Sequence, residues 1–192
     1  MKARGWFLCM VLSGASILQA APITYMATLS GAAENPPNGS PGTGSATVII
    51  DTVAHTLLVD VSFSGLLGNT TASHIHCCVA PPGNVGVATQ LPTFAGFPLG
   101  VTAGTYNSTF DMTQSSSWNP SFITANGGTT AGAEAALAVG LAAGRAYLNI
   151  HTSQVPAGEI RGFLGEVPEP ATFTMAAAAL AGLFLLRRRG SR

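Results

Sequence analysis

Charge is scarce in this chain. Eight Lys and Arg and eight Asp and Glu make up 8% of its 192 residues, against ~25% in an ordinary soluble domain. A disordered polyelectrolyte needs high charge and few apolar residues; with 47% hydrophobic residues this chain is not one. A nucleic-acid binder needs a basic stripe, and eight scattered cations supply none. Three cysteines make no disulfide framework. Cys9 falls in an N-terminal apolar run, and Cys77 and Cys78 are adjacent, so a bridge between them staples no distant strands. The two neighbours can close a vicinal disulfide, pair between molecules or stay reduced, with oxidation favoured outside the cytoplasm. Internal repeats and coiled-coil heptads are missing, and no apolar run reaches the ~20 residues of a full bilayer span.

Glycine (23) and proline (12) are plentiful instead, which points to turns and strands over long helices. The mean hydropathy of +0.38 is high for a soluble protein, and much of it sits at the two ends. Residues 1–21 read as a secretory signal: Lys2 and Arg4, an apolar run from Trp6 to Leu18, then Ala20 and Ala21 for cleavage. Residues 167–192 have three ordered parts: Pro168-Glu169-Pro170, an uncharged Ala- and Leu-rich helix over 173–186, and Arg187-Arg188-Arg189 within the basic end 187–192. At 1.5 Å per residue the apolar part spans ~21 Å, short of a ~30 Å hydrocarbon core, and the arginines stay on the cytoplasmic side. This order of features resembles the bacterial PEP-CTERM sorting signal. The resemblance implies cleavage near Pro168-Glu169-Pro170 by an exosortase-type membrane protease. It also implies a transient inner-membrane anchor, then release to the cell surface or extracellular matrix.

Residues 22–166 carry the fold. Residues 23–29, 46–51, 56–63, 72–79, 104–112, 145–152 and 158–164 read as strands, divided by turn signals such as Pro81-Pro82-Gly83-Asn84 and Pro156-Ala157-Gly158. In the third, Leu57, Val59, Val61 and Phe63 alternate with Leu58, Asp60 and Ser62, the period of an antiparallel strand with one wetter face. Residues 131–141 hold strong helix formers. The expectation is an all-β domain, an antiparallel β-sandwich or barrel-like fold with at most one short helix. A domain of this size needs no metal or disulfide to fold.

Two histidine patches carry the chemistry. His74-Ile75-His76 places two imidazoles on one face of a strand, ~6.7 Å apart at Cα, a spacing that suits chelation of one metal. Asn149-Ile150-His151-Thr152 adds a third imidazole if the strands pair. Cys77, Cys78 or Glu159 are further candidate ligands, and His with Cys suits zinc or copper. The alternative is that these rings bond to backbone and order the sheet edge. Glu159 and Arg161 are also i and i+2, so on a strand both point one way. With Asn149 they read as structural or partner-binding residues, a polar network tying the last strand to the histidine strands.

Several of these motifs also resemble the CHRD (chordin-like) domain. They are Leu29-Ser30-Gly31-Ala32-Ala33-Glu34-Asn35-Pro36-Pro37, Gly65-Leu66, His74-Ile75-His76-Cys77, Gly83-Asn84-Val85-Gly86, Ala146 to Thr152, and Pro156-Ala157-Gly158-Glu159-Ile160-Arg161-Gly162, in family order. The resemblance implies a β-sandwich-like fold and no settled enzymatic activity. The first expectation is therefore an exported, non-enzymatic surface or matrix module that requires no cofactor. Its partners are the export machinery, an exosortase-type protease, the inner membrane before sorting and an extracellular polysaccharide or surface protein, with no nucleic acid. The rival is a copper or zinc protein using His74, His76 and His151, with redox activity open to it. The charges divide accordingly. The leader and the tail are basic, while Arg145 and Arg161 face seven acids in 22–166 (Glu34, Asp51, Asp60, Asp111, Glu134, Glu159 and Glu166).

Overall fold

The period-two segments assemble into one antiparallel sheet in a computed structural model that describes residues 21–168. The strands are β1 (Ile23–Ser30), β2 (Thr43–Asp51), β3 (Thr56–Ser64), β4 (Thr70–Cys77), β5 (Gly104–Asp111), β6 (Ala146–Thr152), β7 (Ile160–Phe163) and β8 (Gly165–Glu166). Their order is β4-β6-β7-β1-β2-β3-β5, with β8 paired to β1. The sheet curls into a half-barrel. The all-β expectation therefore resolves in favour of the barrel-like form. Hydrogen bonding runs unbroken from β4 to β5, so among the described residues there is no second sheet to make a sandwich. All but the last residue of the 1–21 signal segment, and the apolar helix over 173–186, lie outside the described residues. Among the described residues no helix is long and apolar enough to cross a membrane.

The concave face is the core. Tyr25, Ala27 and Leu29 of β1, Ala46, Val48 and Ile50 of β2, and Leu57, Val59, Val61 and Phe63 of β3 are all buried, each at alternate positions as a pleated strand requires. The segment after β4 fills the open side. Its backbone follows the free edge of β4, with Ala88 N donating to Ile75 O at 2.9 Å, Phe94 N to Ser73 O at 3.1 Å and Gly100 N to Thr70 O at 2.9 Å. Phe94 and Phe97 then pack against Tyr106 of β5, with ring centroids at 6.0 and 5.3 Å. The edge of β4 is thus covered rather than left as a template for pairing.

Helix α2 (Thr130–Ala142) presents Ala133, Leu137, Gly140 and Leu141 to the core, one face at helical spacing. Thr129 caps it by accepting from Gly132 N at 3.0 Å. This is the helix read from the sequence. A six-residue helix, α1 (Pro120–Ala125), stands outside that reading. Its signal is present all the same: Asn119 accepts from Ser121 N at 3.0 Å and Pro120 occupies the first helical position, where its missing N–H is no loss. Strand β4 ends at Cys77 rather than Val79. Strand β7 starts at Ile160, because Gly158, at φ +132°, turns the chain into it.

Candidate metal centre

Strands β4 and β6 bring the two histidine patches together. The register pairs His74 with Asn149, His76 with Tyr147 and Ala72 with His151. His74 and His76 therefore share the convex face with His151, which sits one pleat along on the neighbouring strand. Ring centroids are 5.8 Å apart for His74 and His76, 5.3 Å for His74 and His151, and 5.9 Å for His76 and His151. One ring nitrogen from each lies within 4.8 Å of those of the other two. A tetrahedral metal ~2.0–2.1 Å from three nitrogens would draw them to ~3.3 Å of one another.

The hydrogen bonds fix which nitrogen of each ring carries the proton. His74 Nε2 meets Pro92 O at 2.6 Å, His76 Nδ1 meets Val85 O at 2.8 Å, and His151 Nδ1 meets Pro156 O at 2.9 Å. A carbonyl only accepts, so each of those nitrogens carries its proton. The opposite nitrogens, His74 Nδ1, His76 Nε2 and His151 Nε2, hold lone pairs and are buried without a partner. Burial pushes the pKa of His74 and of His76 down to about 4 against the opposing pull of the carbonyls, and the neighbouring imidazoles add to the fall. Burial likewise lowers that of His151. Three neutral imidazoles, each oriented by a carbonyl behind it, are the donor state that a transition metal takes. His76 also stacks on Tyr147 at 4.7 Å and 4°, which holds its plane.

The other candidate ligands lie elsewhere. Cys77 and Cys78 are bonded to each other. Cys77 faces the core, where a side chain at Gly140 would collide with both sulfurs, so neither cysteine supplies a thiolate to the histidines. Glu159 and Arg161 are not paired with each other, because Glu159 precedes β7 and turns away. Its carboxylate accepts from Ser40 Oγ at 2.6 Å, Leu67 N at 2.6 Å, Gly68 N at 3.2 Å and Thr152 Oγ1 at 2.6 Å. Burial alone would raise its pKa, but those bonds outweigh it and hold the carboxyl below its ordinary value. Arg161 stays on the convex face, 1% exposed. Its Nε donates to Ala33 O at 2.7 Å and its terminal nitrogens to Pro82 O at 2.7 Å, Asn84 Oδ1 at 2.6 Å and Gly83 O at 3.4 Å. The guanidinium also lies over the Tyr147 ring at 4.7 Å.

Asn149 falls between Arg161 and His74 in the register, buried, with its Oδ1 unpartnered. Glu34 escapes a reading of spacing alone. It reaches this layer from the turn after β1, 3.7 Å from Arg161 Nε. Burial raises its pKa to about 7 in spite of the arginine. The signal for it was scarcity, since it is one of few acids and stands beside the Pro36-Pro37 turn. Pro168 lies at the boundary of the described residues, and Glu169, Pro170, Arg187, Arg188 and Arg189 lie outside them.

Comparison with known proteins gives two matches on this chain. The model of the CHRD domain matches residues 25–164 and that of the PEP-CTERM protein-sorting motif matches residues 166–189. No curated protein and no solved structure matches.

Proposed function

The chain belongs to the CHRD domain family and carries a PEP-CTERM sorting motif, the mark of an exported protein processed by exosortase-type machinery; from that premise we propose that its half-barrel is a non-enzymatic surface module that binds one copper or zinc ion through His74, His76 and His151. The observation that carries this reading is the set of three buried, unpartnered ring nitrogens on three histidines whose rings cluster within a metal's reach. No protein group partners the second nitrogen of any of the three rings, and one shared metal ion would satisfy all three together. Each ring's N–H is held by a backbone carbonyl, which fixes the tautomer and leaves one lone pair per ring for a ligand.

Elemental analysis of the exported protein tests the metal. About one equivalent of copper or zinc is expected in the natural chain and none in the His74→Ala/His76→Ala variant; equal content in the two contradicts the assignment. The sorting route is tested separately. Pro168, Glu169 and Pro170 are the proposed recognition site, and the three arginines hold the tail at the inner membrane until cleavage. Mass spectrometry of the surface-released protein is expected to find a C-terminus near residues 168–170, and an intact Arg192 there would refute tail removal.

A further inference from the structure

The two edges of the sheet are finished differently. Along β4, the segment from Ala88 to Gly100 takes up the outward hydrogen bonds. Along β5, Met112 N donates to His55 O at 2.8 Å, which makes His55 and Met112 a hydrogen-bonded pair of the β3–β5 ladder. Antiparallel ladders alternate, so Gly104, Tyr106, Ser108 and Phe110 bond to β3, and the N–H and C=O groups of Thr105, Asn107 and Thr109 turn away from it. Among the described residues no backbone group meets them, and all three residues are exposed. An open edge is a template for pairing, and folds ordinarily blunt it with Pro, Lys, a bulge or a cover. Strand β5 has no Pro or Lys and runs in continuous register with β3.

The strand is complementary to itself. Laid antiparallel against a second β5 with Asn107 opposite the partner's Asn107, the outward groups of Thr105 meet those of the partner's Thr109, donor to acceptor, and the reverse. On the concave face Tyr106 then stands opposite the partner's Ser108, and Gly104 opposite the partner's Phe110. Each aromatic ring therefore meets a small residue, an aromatic beside an edge glycine in one case. On the convex face Thr meets Thr, a favourable cross-strand pair. Asn107 gives one side-chain N–H to Asp60, which leaves its second N–H and its Oδ1 for the same amide across the axis. The one charge of the strand, Asp111, lies at its end, beyond the paired stretch, so no like charges are brought face to face. Thr105, Asn107 and Thr109 carry no charge by which a foreign peptide would be selected.

We infer that the β5 edge is an interface between two copies of this chain, paired antiparallel about a two-fold axis at Asn107 so that one sheet continues through both half-barrels. The pairing requires neither the metal nor the sorting tail. The test is sedimentation of the exported protein from micromolar to millimolar concentration, with urea unfolding of each variant to show that the fold is kept. The natural chain is expected to pass from monomer to dimer across that range. Asn107→Pro removes an N–H that β3 does not use, a change that an edge strand accepts, and is expected to weaken dimerisation ~10-fold or more. Asn107→Lys and Asn107→Glu each set like charges against each other across the axis, and each is expected to stay monomeric. Their equimolar mixture is expected to dimerise, because a two-fold axis at residue 107 puts Lys opposite Glu. Should Asn107→Pro unfold the chain, the charged pair decides alone. A natural chain that is monomeric throughout, a dimer that survives Asn107→Pro in a folded chain, or Lys and Glu variants that fail to pair on mixing would overturn the proposal. So would an exported protein that carries a strand of a different polypeptide on this edge, seen as a heteromeric mass.

Discussion

The two halves of the sheet solve different problems. Strands β1, β2, β3 and β5 bury one face and leave the other to water. Leu57, Val59, Val61 and Phe63 point inward while Asp60 and Ser62 point out, and the outer face carries exposed pairs such as Ser45 with Ser62 and Asn107 with Asp60. Strands β4 and β6 bury nearly every position, because loops from four parts of the chain cover the convex face of this half. Polar residues under those loops must be fully bonded or reserved for a ligand. Arg161 and Glu159 take the first course, and His74, His76 and His151 take the second with one nitrogen each. On the proposed reading, the half with the plainer pattern is scaffold, and the half with no alternation holds the candidate site.

The largest test of that contrast is Arg161→Ala. It strips the carbonyls of Ala33 and Pro82 of their donor and leaves Glu34 alone in the buried layer, at an expected cost of ~3–5 kcal/mol in urea unfolding. A cost of under ~1 kcal/mol would show that the loops, not the arginine, hold the layer together. The concave faces, by contrast, should respond alike. Leu57→Ala and Leu148→Ala remove the same atoms from fully or nearly fully buried sites in the two halves, and each should cost ~2–5 kcal/mol. A systematic gap between them would mean that the two halves do not share one core.

Metal should stabilise only the histidine half's centre. At 100 times the Kd it adds ~2.7 kcal/mol, read as a rise of several degrees in Tm that is absent in His74→Ala/His76→Ala. The metal-free protein should also lose stability as pH falls from about 6.5 toward about 4. In that window unfolded histidines bind protons, whereas folded His74 and His76, at about 4, do not. Glu34 works in the opposite direction. Its folded value of about 7 against 4.5 means that it gives up stability as pH rises between those values. Three lowered histidines against one raised carboxyl leave a net gain with rising pH, and a flat profile between pH 4.5 and 6.5 would contradict the burial of the rings. The smallest effect belongs to the wet face. Asp60→Ala, which removes the exposed 2.6 Å contact from Asn107, should change stability by no more than ~0.5 kcal/mol.

Most strands were legible in the sequence because one wet face writes a period of two, as Leu57 to Phe63 show. His74 and His76 were legible as a pair for the same reason, and their meeting with His151 followed once β4 and β6 were neighbours. The rest of the site was not legible because it is made by loops. The carbonyls of Val85, Pro92 and Pro156 that orient the rings have no side-chain signature. Glu34 arrives from far along the chain. Glu159 and Arg161 share a spacing that suggests a pair, but the positive φ of Gly158 and the start of β7 at Ile160 send them to different partners.

X-ray absorption at the metal edge of the exported protein tests the central claim most directly. The account predicts a first shell containing three imidazole nitrogens at ~2.0–2.1 Å and no sulfur. A sulfur shell at ~2.3 Å, or a metal-free protein after growth with copper and zinc supplied, would contradict it.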